Sequence, residues 1–162
     1  MSDLRGIEGL LVIGVGNRWR RDDGVGPWVA DRLREQGLPV LEHSGEGAGL
    51  IAAWSEARSV IVVDATTSGS PIGTLHRLDA VAAELPRNFF RYSSHLFGLA
   101  EAISTARTLG RLPPHLIVHG IEGGDFGFGE TLSPEVAAAA ATTVQRILEE
   151  VRSLETKASD NA

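Results

Sequence analysis

Short, wholly apolar runs alternate along this chain with longer stretches in which apolar residues recur every three or four positions. Leu10 to Val15 is apolar apart from Gly14, Val60 to Val63 is apolar and entirely β-branched, and Leu116 to His119, apolar up to its closing histidine, reads as the last core strand. Runs of this length without alternation suit strands covered on both faces, as in a parallel sheet. Val40 to Glu42 reads as a weaker strand. Gly73 to Leu78 alternates apolar and polar residues, the pattern of a half-exposed strand at a sheet edge.

The intervening stretches carry the helical period. Pro27 to Gln36 predicts a helix with a first-turn proline and Gly37 as its stop. Leu50 to Ala57 reads as a short helix. Ser93 or Ser94 is placed to cap another that runs to about Leu109, with Leu96, Leu99 and Ile103 on one face. Ser133-Pro134-Glu135 opens the terminal helix with a cap, a proline and an acid that suits the helix dipole. Its apolar stripe is Val136, Ala140, Val144, Ile147, Leu148, Val151 and Leu154, and the polar stretch from Glu155 to Ala162 is expected to fray.

This order predicts an α/β fold: one domain over residues 1–162, built as a three-layer α/β/α sandwich. Its mostly parallel, twisted sheet would have about five strands and one antiparallel edge.

Composition narrows the function. With 162 residues and 43% hydrophobic content, the chain can bury one sizeable core. A net charge of -6 argues against a dedicated nucleic-acid binder, and Arg18, Arg20 and Arg21 are too local a cluster to reverse that. The absence of cysteine excludes disulfides, iron–sulfur ligation and thiolate catalysis. No segment approaches the roughly 20 apolar residues needed to span a bilayer. The run at Leu10 is interrupted by Gly14 and followed by arginines where a signal peptide would need a small-residue cleavage site. The expectation is a cytoplasmic protein.

Candidate chemistry gathers at strand ends. After the first run come Gly14, Gly16 and Asn17, then Asp22 and Asp23, then Gly24 and Gly26. Asp64 closes the run VIVVDA, and His95 lies in YSSHLFGL. In an open α/β sheet, ligands bind beyond the carboxyl ends of the strands, so these residues should converge there. Carboxylates and one imidazole from separate loops are a reasonable ligand set for a divalent metal. Plainer roles stay open: Asp22 and Asp23 as solvated caps, Asp64 bonding the turn at Ala65-Thr66-Thr67, His95 as an ordinary first-turn residue.

Other motifs carry less. Gly14 and Gly16 fail as a dinucleotide fingerprint, because the third glycine would fall at Trp19. Ser93 and Ser94 have no nucleophile elbow around them and read as caps. His43, His76 and His115 lack supporting context, and His119 fits a satisfied buried histidine. Glu122 lies near the expected cleft and is a candidate for substrate contact.

The three motifs together, G-x-G-N-x4-D-D-G-x-G, then V-V-D-A, then S-S-H-x-x-G-L, resemble the hydrogenase maturation protease family over nearly the whole chain. These endopeptidases trim a C-terminal extension from the large-subunit precursor of nickel–iron hydrogenases. Carried over by position, the resemblance places the family's metal-contacting acids on Asp23 and Asp64 and its histidine on His95. Asn17 and the first-loop glycines match as loop-shaping positions, and Asp22 matches a commonly acidic neighbour. One departure stands out: Ile121-Glu122-Gly123-Gly124 occurs where the family pattern has isoleucine, glutamine or glutamate, then proline. That implies a differently constrained loop.

The resemblance also implies a mechanism. Nickel would be supplied by the substrate, held mainly by the substrate's cysteines, with Asp23, Asp64 and His95 completing its coordination. A divalent surrogate could occupy the same place. Asp23 and Asp64 would be the catalytic acids, acting as ligand or base. The implied partner is the nickel–iron hydrogenase large-subunit precursor, with no nucleic acid and no membrane involved. Two other readings remain: a non-catalytic checkpoint that binds the metal-loaded precursor, and a generic metal-dependent hydrolase. Trp19, Trp28, Trp54, Phe126 and Phe128 are candidates to dock the partner at the cleft edge, with core packing an equal alternative for Trp28 and Trp54.

Overall fold

The structure, a computed structural model, describes residues 8–90 and 95–160. Five strands form one sheet in the order β2-β1-β3-β5-β4. They are β1 (Leu10–Val15), β2 (Val40–His43), β3 (Ser59–Thr66), β4 (Leu75–Asp79) and β5 (His115–Glu122). β1, β2, β3 and β5 run parallel; β4 pairs antiparallel with β5 at one edge. The helices are α1 (Val25–Glu35), α2 (Gly47–Trp54), α3 (Leu99–Thr108) and α4 (Pro134–Asp160).

The two-residue period of the strands divides the core into two layers. Val12, Ile61, Val63 and Ile121 face α1 and α4, meeting Val29, Leu33, Val144 and Ile147. Ile13, Val60, Val62 and Val118 face α2 and α3, meeting Leu50, Trp54, Leu99 and Ile103. Full burial of such side chains is worth roughly 1.5–3 kcal/mol each. A surface ion pair contributes about 0–1 kcal/mol, so the two apolar layers hold the fold. Among the described residues no helix is long and apolar enough to cross a membrane.

Several elements differ from the sequence expectation, each for a local reason. α1 begins at Val25 because the 3-10 turn Arg21–Gly24 runs directly into it. Pro27 then falls at the third helical position, where its missing N–H would have had no helical partner. α2 begins at Gly47, three residues before Leu50, because the Glu46 carboxylate accepts from the N–H groups of Ala48 and Gly49. α3 begins at Leu99, with the Gly98 N–H donating to Glu101. Leu96 therefore precedes the helix and is fully exposed instead of lying on its apolar face. Ser93 and Ser94 lie outside the described residues.

β3 and β5 both outrun their apolar cores. They stay paired through Asp64–Gly120 and on to Thr66–Glu122, with β4 laddered against β5. Asp64 is thus inside a strand, two residues before its end. α4 stays helical to Asp160, past the last apolar position of its stripe, so residues 155–160 continue the helix instead of fraying.

Candidate active site

The turn from β1 into α1 is built on glycine. Gly16 has φ of 143°, and a Cβ there would lie 1.9 Å from the Asp23 carbonyl oxygen. Only a residue without a side chain lets the loop fold back this tightly. The fold-back brings the Asp23 side chain over the end of β1, where one carboxylate oxygen accepts from the Asn17 N–H at 3.0 Å. Asn17 in turn accepts from the Trp19 N–H through its side-chain oxygen, 2.9 Å away, which fixes the start of the loop.

Asp64 reaches the same place from β3, and His95 from the segment that leads into α3. All three line one small cavity of about 50 Å³, together with Arg20, Thr67 and Phe126. That volume accommodates a metal ion or a few waters. The cavity adjoins a groove of about 670 Å³ that shares Asp23, His95, Arg20 and Ser44 and adds Trp19 and His43. A deep polar recess inside a wide groove can receive an extended or folded protein segment at its reacting point.

Burial sets the protonation of the two acids. Burial pushes the Asp64 carboxyl well above the usual carboxylate range, and the neighbouring Asp23 charge pushes the same way; the Ala65 N–H opposes them. Burial also raises Asp23, against the Asn17 N–H and the charges of Arg20 and His95. Repulsion between two such carboxylates favours a proton on one of them, which suits acid–base work, and a metal ion at the same place would displace that proton. Among the described residues no group of three or more His, Cys, Asp or Glu side chains is set to hold a metal ion by itself.

Asp22 is no solvated cap. It is completely buried, and it accepts from the N–H groups of Gly124, Asp125 and Ser133 and from the Ser133 hydroxyl. Burial alone would raise its pKa, but these bonds outweigh burial and hold the carboxyl below the usual range. Asp22 thereby locks the loop that follows β5 onto the loop that carries Asp23. The same loop is where proline was expected and Gly123 occurs. The Gly123 N–H donates to the Thr66 carbonyl, a bond that proline could not make.

The remaining candidates separate clearly. Glu122 is buried inside the fold, accepting from Thr66 Oγ1, the Ser68 N–H and Ser68 Oγ, with His76 Nε2 at 3.5 Å. It braces the ends of β3 and β5 and does not line the cavity. His119 meets Glu150 of α4 at 3.1 Å, the satisfied buried histidine that the sequence suggested. His43, which lacked context in the sequence, stands on the groove wall. Its Nδ1 accepts from the Gly45 N–H, and burial lowers its pKa. Trp54 is buried against α3, and Trp28 is partly buried against the core with Arg32 over its ring, so both serve packing. Trp19 and Phe128 are exposed, and the bridge between Arg20 and Gly129 brings the segments carrying them side by side. Arg20 is the site residue that sequence reasoning passed over; its position three residues before Asp23 was the available signal.

Fold and site define an α/β protein with a carboxylate–histidine recess at the carboxyl edge of a parallel sheet, the place where such folds put their chemistry. The chain's residues 30–150 match the hydrogenase maturation protease family model. A hydrogenase expression/formation protein HupD of Bradyrhizobium diazoefficiens is 33% identical over 83% of this chain and 73% of that protein. A putative hydrogenase maturation protease of Methanocaldococcus jannaschii is 30% identical over 88% of this chain and 96% of that protein. In fold, the chain is similar to the hydrogenase-maturating endopeptidase HybD of Escherichia coli. The TM-score is 0.74, with 24% identity over 89% of this chain and 92% of the other. The chain belongs to the hydrogenase maturation protease family, and it is a peptidase.

Proposed function

We propose that this chain removes the C-terminal extension of a nickel–iron hydrogenase large-subunit precursor after nickel insertion. Asp23, Asp64 and His95 complete the coordination of nickel that the precursor brings. The observation that carries this reading is that all three side chains line one cavity at the end of the sheet. That cavity opens beside a groove wide enough for another protein's segment. The donor set of two oxygens and one nitrogen suits a borderline divalent ion as a partial complement, with thiolates of the substrate supplying the rest.

Bound nickel supplies Lewis acidity and a fixed reference point for the peptide to be cut. The chain's own residues do the rest. Asp23, held by the Asn17 N–H, and His95 orient the incoming centre. Asp64, with its raised pKa, takes a proton from an attacking water as a carboxylate and passes it to the departing amine. Trp19 and Phe128, exposed at the rim, contact the body of the precursor.

The direct test is processing of nickel-loaded precursor by Asp23→Asn and His95→Ala. Both variants should fold, judged by circular dichroism and thermal midpoint, and both should lose cleavage by at least about a hundredfold. Undiminished cleavage by both would overturn the assignment. Tight binding without cutting by the unmodified chain would move the reading to a checkpoint protein.

A further inference from the structure

A positively charged residue lines a cavity that is otherwise equipped for a cation, and its charge acts on Asp23. Arg20 shares the recess with Asp23, Asp64 and His95 and also lines the adjoining groove. Its two neighbouring arginines are used elsewhere. Arg18 forms a two-pronged pair with Asp31, both contacts 2.7 Å, and reaches Glu42 at 2.6 Å. Arg21 lies 3.5 Å from Asp125 and donates to the Phe128 carbonyl. The Arg20 backbone is held at the site on both sides. Its N–H donates to the Asn17 carbonyl, its own carbonyl accepts from the Asp23 N–H, and it bridges to Gly129.

The sign of this charge matters. A fixed positive charge beside Asp23 repels a free divalent ion and offsets part of the attraction from the two carboxylates. A divalent ion that already carries more than two thiolates is an anion overall, and for it the balance reverses: the carboxylates repel and the guanidinium attracts. An ion pair with Asp23 alone would not call for a residue that lines both the recess and the groove.

We propose that Arg20 is a specificity residue that makes the site reject free divalent ions and accept metal already bound by anionic ligands of the substrate. The inference rests on the reading that Asp23, Asp64 and His95 meet a substrate-borne metal. It adds to that reading the form in which the metal is accepted. Arg20 takes no part in bond breaking; it sets which metal complex can enter.

The test titrates free Ni²⁺ into the metal-free protein by calorimetry, for the unmodified chain, Arg20→Met, Arg20→Gln and Arg20→Lys. The expected result is that Arg20→Met and Arg20→Gln bind free Ni²⁺ at least about tenfold more tightly, while Arg20→Lys stays near the unmodified chain. The gain should vanish when Asp23→Asn is added, which assigns it to this cavity. For nickel-loaded precursor the two neutral variants should show KM raised at least about fivefold with kcat nearly unchanged, a split that general loss of structure would not give. Unchanged or weaker Ni²⁺ binding by both neutral variants would overturn the proposal. If that happens while the unmodified chain still cuts only nickel-loaded precursor, Arg20 loses this role and the metal-recognition reading stands. If the unmodified chain cuts loaded and nickel-free precursor alike, that reading fails and the proposal with it.

Discussion

The carboxylate of Asp22 accepts both the N–H and the hydroxyl of Ser133, at 2.7 and 2.8 Å, across 111 positions of sequence. The catalytic loop is thereby tied to the residue that precedes α4. Removing the Ser133 hydroxyl as Ser133→Ala should cost about 1.5–3 kcal/mol of stability, the usual effect of losing one bond to a charged acceptor. Asp22→Asn should cost more, since an amide cannot accept from four donors, and urea unfolding of both variants measures the difference. Because its folded-state pKa is lowered, Asp22 contributes stability that is present above its ordinary pKa, about 3.9, and is lost as pH falls through the lower folded value. Asp22→Asn should accordingly show a shallower loss of stability below about pH 4.

Asp64 carries the opposite sign. Its raised folded-state pKa means that its contribution to stability is present below the ordinary carboxylate range and is lost as pH rises through the folded value. Asp64→Asn should therefore raise the thermal midpoint at neutral and higher pH and leave it nearly unchanged near pH 3. Cleavage should be lost at every pH. A midpoint that falls at pH 8 would contradict the account of this buried acid.

Gly16→Ala tests the loop itself. The added methyl group collides with the Asp23 carbonyl, 1.9 Å from the ideal Cβ, and φ of 143° is strained for any side chain. The variant should lose cleavage by at least about tenfold while keeping its fold, since the strain of roughly 1–3 kcal/mol falls on the loop and not on the core. Circular dichroism and processing of the precursor read the two effects separately.

Trp19→Ser and Phe128→Ser test the docking rim. Trp19 is 62% exposed and Phe128 91%, so neither change should lower the thermal midpoint appreciably. Each should raise KM for the precursor several-fold with kcat maintained, the signature of lost binding and intact chemistry. Equal KM values for both variants and the unmodified chain would place the contact elsewhere.

The sheet was readable because parallel strands buried on both faces must be apolar throughout, and Val60 to Val63 could hardly be anything else. Asp23, Asp64 and His95 were readable because each follows or precedes an apolar element, and the topology then forces them to one edge. What the sequence left out depends on contacts distant along the chain. Nothing near Asp22 announces that Gly124, Asp125 and Ser133 donate to it, so the sequence left it between a cleft carboxylate and a solvated cap. Leu96 looked like part of a helical stripe, because spacing alone cannot tell that Gly98 caps α3. Trp28 and Trp54 suited the cleft edge and the core equally well in the sequence, and α1 and α2 turn them toward the two apolar layers. Glu122 looked like a cleft residue until Thr66 and Ser68 were seen to enclose it.

The measurement that bears most directly on the whole account is paired processing of one large-subunit precursor, loaded with nickel and free of it, by the unmodified chain. Mass spectrometry of the C-terminus reads the outcome. Removal of the extension from the loaded precursor alone is the predicted result. Equal removal from both would show that Asp23, Asp64 and His95 work as an ordinary peptidase site without reading the metal.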